Sequence, residues 1–234
     1  PPHPPPPPRP RNLSSAQAFT LAEVLVTLGI IGVVSAMTVP TLMQNHQRKT
    51  YVTQLHKVYN ELNQALLQYQ TDKNALNIKE AGLTSNEACS EFLNKYFKVV
   101  TDCGDTQTPC FASSYKKMSG VSSGFNCLKN CVSLASGAAV EMYYGGYSFD
   151  AGQVIRISVD INGAKGPNVF GRDAFTMFLY PNGIIDDLVT DTSLLPPFSK
   201  DIREGQYFNC TNSVSGAFHG CFGYILNDNW EMNY

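Results

Sequence analysis

Two aspartates and two asparagines lie in a glycine-rich stretch of the chain. The side chains of Asp160, Asn162, Asn168 and Asp173 offer oxygen atoms, which are the ligands that calcium prefers. Their spacing differs from that of an EF-hand, because the ladder of acids and the terminal glutamate are missing. The alternative is a hairpin whose backbone these side chains hold through Asx turns. The sequence favours the hairpin and keeps calcium as the second interpretation.

The chain has seven cysteines, all downstream of a long apolar run. So many cysteines are unusual in a cytosolic protein and typical of a chain oxidised outside the membrane. Cys127 and Cys131 have a gap that zinc ligands also show, but no second close pair or nearby histidine completes a tetrahedral set. We therefore predict disulfides, with Cys103–Cys110 and Cys210–Cys221 as the candidate pairs. Spacing does not fix connectivity, and the odd number leaves at least one cysteine free or paired between chains.

The remaining polar residues show no catalytic pattern. The four histidines have no partner spacing, and the chain contains neither a G-x-S-x-G nucleophile motif nor a P-loop. The net charge of −2 excludes a strongly basic nucleic-acid-binding protein. We predict a protein that is not an enzyme and binds no nucleic acid; an envelope enzyme with a metal in the Asp160–Asp173 loop is the alternative. Asp186, Asp187 and Asp191 are predicted to lie on a solvated edge.

An apolar run near the amino terminus carries no formal charge from Val24 to Gln47. As a helix it would extend about 36 Å, enough for a hydrocarbon core of about 30 Å. A membrane anchor is one interpretation. An ordinary secretory signal is another, with Arg9 and Arg11 as its basic region and a small-residue cleavage site ending at Ala36. Neither explains Glu23, a carboxylate at the entrance of the run, where burial in lipid is costly.

The helical pattern continues beyond the apolar run. Apolar side chains recur at steps of three and four residues, with polar residues between them, at Val52, Leu55, Tyr59, Leu62, Leu66 and Tyr69. We therefore predict one helix from about Phe19 to Asp72, apolar on all sides in its first half and on one side in its second. Cleavage at Ala36 would cut this helix near its middle.

The segment Ala18-Phe19-Thr20-Leu21-Ala22-Glu23, the apolar helix and Pro40 resemble the amino terminus of type IV pilins and type II secretion pseudopilins. In that family a short basic leader is removed just before a phenylalanine, and the new amino group is methylated. The resemblance implies cleavage between Ala18 and Phe19 and N-methylation of Phe19. One residue departs from the pattern, since the position before the cut is usually glycine. Alanine is nearly as small, so we expect slower processing.

The resemblance also implies a role for Glu23, four residues beyond the new terminus. The freed amino group of Phe19 is a cation and Glu23 an anion in the same apolar setting, and each is tolerated there when paired. In a filament, the carboxylate of one subunit would meet the amino terminus of its neighbour and fix the axial register. Pro40 removes one helical hydrogen bond and is predicted to permit a bend.

Partners and location follow from the same resemblance. The partners are other pilin or pseudopilin subunits, a prepilin peptidase, an inner-membrane assembly platform, and the membrane before assembly. The chain would cross the bacterial cytoplasmic (inner) membrane once and then enter a periplasmic or extracellular filament. The alternative function is a secreted, disulfide-bonded binding protein or adhesin released by ordinary signal cleavage. The sequence does not separate a pilus from a secretion pseudopilus or a DNA-uptake filament.

Downstream of the long helix the pattern changes to that of strands. Val154–Ile161 alternates apolar and polar residues, and further candidate strands lie at Ala138–Tyr144, Ala174–Tyr180 and Ile184–Val189. A capping motif at Thr84 begins a short helix. We predict an α+β fold in which the long amino-terminal helix packs on an antiparallel sheet, the layout that the resemblance to pilins also implies.

The predicted organisation has three parts. Residues 1–18 are a proline-rich basic leader. Residues 19–73 are the long helix, with a membrane-spanning or filament-core half at 19–43 and an amphipathic half at 44–73. Residues 74–234 are a globular head, in which 101–134 is a connection braced by disulfides.

Overall fold

The computed structural model describes residues 2–4 and 20–234. Its helices and strands follow one another in the order α1 (Leu21–Asp72), α2 (Asn86–Tyr96), β1 (Val99–Gly104), β2 (Cys131–Leu134), β3 (Ala139–Phe149), β4 (Gly152–Asp160), β5 (Ala174–Leu179), β6 (Ile185–Asp186), α3 (Lys200–Thr211) and α4 (Cys221–Asn227). The chain divides into two compact units, Pro1–Asn45 and His46–Tyr234, with the boundary inside α1.

An open sheet of six antiparallel strands forms the centre of the unit His46–Tyr234, in the order β1-β2-β3-β4-β5-β6. The long helix precedes a sheet of sequential antiparallel strands, so the predicted α+β class is confirmed. β3, β4, β5 and the very short β6 lie where strands were predicted. The sequence pattern missed β1 and β2, which are short and are paired with shifts of register.

The second half of α1 covers one face of this sheet. The predicted apolar stripe of the helix shares one hydrophobic core with alternate residues of β3, β4 and β5. Leu55 and Leu62 are completely buried in this core, together with Ile157 of β4. Because burial of apolar side chains is the main favourable term in folding, this half of α1 belongs to the head.

The opposite face of the sheet is covered as well. The chain between β1 and β2 contributes an aromatic cluster that includes Phe111, Tyr115 and Phe125, and the chain after β6 contributes Phe198 to a further cluster. The polar side chains of β4 on this face therefore lie beneath a second layer, and Ser158 and Asp160 are buried. β4 alternates apolar and polar residues, a pattern that usually indicates one solvent-exposed face. In this fold both faces of β4 are covered.

The remaining helices differ from the sequence predictions. α2 begins at Asn86, and the Oγ of Ser85, not of Thr84, caps it by accepting the N–H of Ala88 at 3.1 Å. α3 and α4 were not predicted, because helices of 12 and 7 residues give a weak periodic pattern. The carboxy-terminal aromatics Phe218, Phe222, Trp230 and Tyr234 pack against the head, whereas Phe208 is 66% exposed.

Candidate functional site

The first half of α1, which we call the apolar segment (Leu21–Asn45), contains no buried side chain. Its large apolar side chains are 40–77% exposed. The helix is long and apolar enough to cross a membrane. A signal sequence near the amino terminus can have the same length and composition. Gly29 and Gly32 have no atom within 4 Å of an added Cβ, so this surface is open to close approach by another helix.

Glu23 is tied to the start of α1 by a reciprocal cap. Glu23 Oε2 accepts hydrogen bonds from the Thr20 backbone N–H (2.9 Å) and from Thr20 Oγ1 (2.8 Å), and the Glu23 N–H donates to Thr20 Oγ1 (3.3 Å). This is a capping box, which the T-L-A-E spacing signals and which our sequence analysis missed. Glu23 Oε1 accepts no hydrogen bond from any residue that the structure describes. One carboxylate oxygen is therefore held within the helix, and the other has no donor in the part of the chain that the structure describes.

The predicted cleavage and methylation residues, Ala18 and Phe19, lie outside the described residues. The description of this region begins at Thr20, immediately before the first residue of α1. Cleavage between Ala18 and Phe19, and methylation of Phe19, therefore stay predictions that depend on the sequence motif.

Pro40 lies inside α1, and the helix continues on both sides of it. Proline has no N–H to donate to the carbonyl of Ala36. Two threonine hydroxyls in this stretch donate to helix carbonyls, Thr38 Oγ1 to Val34 O (2.9 Å) and Thr41 Oγ1 to Met37 O (3.4 Å). Such bonds keep hydroxyl donors satisfied where no water is present. A bend at Pro40 stays a prediction.

The Asp160–Asp173 loop is closed by its own hydrogen bonds. Asp160 Oδ2 accepts from the Tyr115 hydroxyl (2.5 Å), and Asp160 Oδ1 accepts from the Asn162 backbone N–H (3.1 Å). Asp173 Oδ2 and Oδ1 accept from the backbone N–H groups of Asn168 and Val169, both at 2.8 Å. Both carboxylates are completely buried. These contacts are the Asx-type interactions of the hairpin interpretation.

Burial raises the pKa of Asp160 to about 7, although the hydrogen bonds from Tyr115 and Asn162 oppose this rise. Burial also raises the pKa of Asp173. Calcium needs six to eight oxygen ligands, and every carboxylate oxygen of the two aspartates already accepts an N–H or O–H. Asn168 Oδ1 is the buried loop acceptor that lacks a partner. The four candidate ligands thus share one loop that is held together by protein donors, and calcium binding stays the second interpretation of this loop.

Asp186 was predicted to lie on a solvated edge, and that prediction is wrong. It is completely buried and forms a two-pronged ion pair with Arg203, at 2.8 Å from Nε and 2.6 Å from Nη2. It also accepts the backbone N–H of Phe198 at 3.1 Å. The pairing attaches α3 to the end of the sheet. Its partner lies 17 residues away in sequence, which is why the cluster of acids alone did not reveal it.

Asp187 is equally buried and fixes the start of α4. Its oxygens accept the backbone N–H groups of Gly220 (2.9 Å) and Gly223 (2.7 Å). His219 Nδ1 lies 3.3 Å from Asp187 Oδ1 without hydrogen-bond geometry. Of the three predicted edge aspartates, Asp191 alone is exposed. These acids are structural, since their oxygens face backbone and guanidinium donors.

Three disulfides brace the head. The structure contains both predicted pairs, Cys103–Cys110 and Cys210–Cys221, and also Cys127–Cys131. The Cys127 and Cys131 sulfurs and a Glu141 carboxylate oxygen lie close enough together to be considered as metal ligands. However, Glu141 forms an ion pair with Arg156 at 2.5 Å, and the two sulfurs form a disulfide with each other. Cys89 is the free cysteine among the described residues. Burial raises the pKa of its thiol to about 12, which makes it unreactive.

Gly171 shows how closely one disulfide is packed. Its φ is +92°, and an added Cβ would lie 2.6 Å from Cys221 Sγ and 3.0 Å from Cys210 Sγ. Only glycine fits this position without a shift of the disulfide or of the loop backbone. The Cys210–Cys221 disulfide is thus locked against the Asp160–Asp173 loop.

Comparison with known proteins gives no further assignment. No family model, no curated protein and no solved structure matches this chain.

Proposed function

We propose that this protein is a prepilin-like structural subunit of a type IV pilus or a type II secretion pseudopilus. It is cleaved between Ala18 and Phe19, methylated at Phe19, held in the bacterial inner membrane by its apolar segment, and then assembled into a filament through that segment. The protein acts by assembly and carries out no chemical reaction.

The observation that carries this proposal is the combination found in α1. Its first half is apolar and exposed along its whole length, and its second half belongs to the core of the head. At the start of the apolar half, Glu23 offers one carboxylate oxygen that no described residue uses. A plain membrane anchor needs no carboxylate there, and a removable signal needs no continuous helix into the folded domain.

The carboxylate gives the assembly its register. In an apolar environment an unpaired charge is costly, whereas a paired and hydrogen-bonded charge is tolerated. The amino group of Phe19 in a neighbouring subunit is a cation that fits the open Oε1 of Glu23. Axial positions that leave either charge without its partner are disfavoured, so one stagger between subunits is selected. Gly29 and Gly32 let the helices approach closely enough for this contact.

One observation is compatible with the alternative function. The first buried residue of the head is Val52 among the described residues. Signal cleavage after Ala36 would therefore remove none of the head's buried side chains, and the released product would keep its disulfides. This is the secreted binding protein or adhesin that the sequence leaves open.

Mass spectrometry of the mature amino terminus separates the two functions. The chain is isolated from its native envelope, and the amino-terminal peptide is sequenced. A chain that begins with methylated Phe19 is the expected result. A chain that begins at Met37, or one that retains residues before Phe19, contradicts the proposed function.

A further inference from the structure

Basic side chains gather at the place where the chain enters the head. The apolar segment ends at Asn45, and the next turn of α1 carries Arg48 and Lys49. Lys116, Lys165 and Arg172 come from the segment after β1 and from the Asp160–Asp173 loop. We call these five residues the basic patch. Four of them are exposed, and Arg48 is half-buried.

Contacts within the head bring these residues to one end of it. The Lys116 N–H donates to Asn168 O (3.0 Å) and the Phe170 N–H donates to Lys116 O (2.8 Å), so Lys116 lies beside the loop that carries Lys165 and Arg172. Tyr51 of α1 packs against the hydrophobic core that includes Ile161, the residue next to Asp160. In agreement with this placement, burial raises the pKa of Tyr51, the Asp173 carboxylate adds to the rise and the Arg172 guanidinium opposes it. The loop therefore lies at the level of the first helical turn after Arg48 and Lys49.

The two aspartates of the loop do not neutralise the charge of this patch. Asp160 and Asp173 are completely buried, and their oxygens face internal donors. None of the five basic side chains forms an ion pair with another residue in the described part of the chain. Within the described residues, the charges of the basic patch are therefore not neutralised by ion pairs.

We propose that the basic patch binds anionic phospholipid headgroups while the subunit is held in the membrane. This inference rests on the membrane insertion in the proposed function, because a segment that ends at Asn45 in the lipid puts Arg48 at the depth of the headgroups. Lysine is a compact charge on a flexible stem. Three exposed lysines without a shaped cavity suit mobile headgroups better than one fixed ligand, and basic residues close to a membrane attract anionic lipid.

Lysine labelling of the full chain tests this proposal. The chain is reconstituted in nanodiscs of phosphatidylcholine alone or of phosphatidylcholine with phosphatidylglycerol, and its lysines are acetylated with uncharged acetic anhydride. Mass spectrometry gives the rate at each lysine. Lys116 and Lys165 are expected to react at least about threefold more slowly on the anionic discs at low salt, and high salt is expected to remove this difference because it screens the contact.

Lys73 and Lys79 serve as internal controls. They are exposed beyond the carboxyl end of α1, and Lys73 is about 33 Å of helix away from Tyr51. That distance exceeds the Debye length of about 10 Å at 0.1 M salt. Their rates are expected to be the same on both kinds of disc, and an equal slowing of all four lysines would overturn the proposal.

A double variant adds a second test. Replacing Lys165→Gln together with Arg172→Gln should return the labelling of Lys116 on anionic discs toward its rate on neutral discs, whereas Lys73→Gln with Lys79→Gln should not. Retention of the chain by neutral discs in high salt is measured in parallel. Loss of that retention contradicts the proposed membrane function, while full retention with lipid-independent labelling contradicts the basic patch alone.

Discussion

Glu23 and Asp186 are both carboxylates that the sequence sets among apolar residues, and the structure treats them differently. Asp186 is completely buried, and both of its oxygens are taken by Arg203, with Phe198 as a further donor. Glu23 lies on an exposed apolar helix, and among the residues that the structure describes only Thr20 donates to it, at Oε2. The first carboxylate is complete within one chain, whereas the second keeps an oxygen open.

This difference separates an acid that serves folding from one that is available for assembly. The oxygens of Glu141, Asp160, Asp173 and Asp187 in the head also all accept hydrogen bonds, and Glu141 has an ion pair with Arg156 as Asp186 has with Arg203. A carboxylate whose oxygens all have donors within its own chain has little to gain from a neighbouring subunit. An incompletely paired charge in an apolar surface gains most when a partner of opposite sign arrives.

The largest effect is expected when the open carboxylate is neutralised. Glu23→Gln keeps the size of the side chain and its hydrogen bond to Thr20 but removes the charge that would face the amino group of Phe19. Filament yield should fall by about tenfold or more, the scale of losing one partner of a desolvated charge pair. Membrane insertion and the thermal unfolding of the head should stay at wild-type values, because the head core begins at Val52.

Glu61→Gln is the matched control for this experiment. Glu61 lies on the same helix, and its pair with Lys57 is exposed at 3.8 Å. This exchange should leave the amount of filament unchanged. Equal yields from Glu23→Gln and wild type would remove the register role of Glu23, even if the amino terminus proves to be Phe19.

The helix that carries Glu23 could be predicted from the sequence. The uncharged run from Val24 and the stripe from Val52 to Tyr69 are long and periodic, so they determine the position, length and sidedness of α1. The T-L-A-E spacing at Thr20 also contains the capping box that holds Glu23. These features are local, and residues that contact one another are three or four positions apart.

The surroundings of the buried acids in the head could not be predicted in the same way. Asp186 and Asp187 looked like a solvated edge because their partners, Arg203 and Gly223, are 17 and 36 residues away. Likewise, nothing in the alternation of β4 indicates that a second layer covers Ser158. Whether an acid is buried depends on the tertiary packing of distant segments, and no periodic pattern in the sequence indicates that packing.

A large effect on the stability of the head, and not on assembly, is expected when a complete pair in the head is broken. Arg203→Met leaves Asp186 buried without its cation, which should lower the free energy of unfolding by about 3–5 kcal/mol. Urea unfolding of the detergent-solubilised chain, followed by near-ultraviolet circular dichroism, measures this change. Lys95→Met is the matched control, since its pair with Asp72 at 2.8 Å is exposed. Similar losses in the two variants would mean that burial does not distinguish these pairs.

The pH dependence of stability should report on the buried Asp160. Its pKa is about 7 in the folded protein and about 4 in an unfolded chain. Between these two values the folded state keeps a proton that the unfolded state has released, so stability falls as the pH rises from about 4 to about 7. Burial also raises the pKa of Asp173, so this group contributes to the fall in the same direction.

Asp160→Asn should flatten this profile, because asparagine keeps an acceptor for the Asn162 N–H but has no proton to release. The expected difference between variant and wild type grows with pH and reaches a few kcal/mol near neutral pH. Asp105→Asn, an exchange at an exposed residue paired with Lys129, should keep the wild-type slope. Parallel profiles for wild type and Asp160→Asn would show that Asp160 does not titrate in this range.

The smallest effect is expected from adding calcium. This experiment tests whether the carboxylates of the Asp160–Asp173 loop, like that of Asp186, have all their partners within the chain. The loop's four carboxylate oxygens already accept hydrogen bonds, so a cation would have to displace donors such as the Val169 N–H and the Tyr115 hydroxyl. Millimolar calcium should therefore leave the melting temperature of the wild-type chain unchanged, as should millimolar magnesium. A calcium-specific rise that disappears in Asp173→Asn would mean that this loop contains a cation site, with Asn168 Oδ1, the unpartnered acceptor of the loop, as a further candidate ligand. The Asp160–Asp173 loop would then join Glu23 among the incomplete sites of this chain.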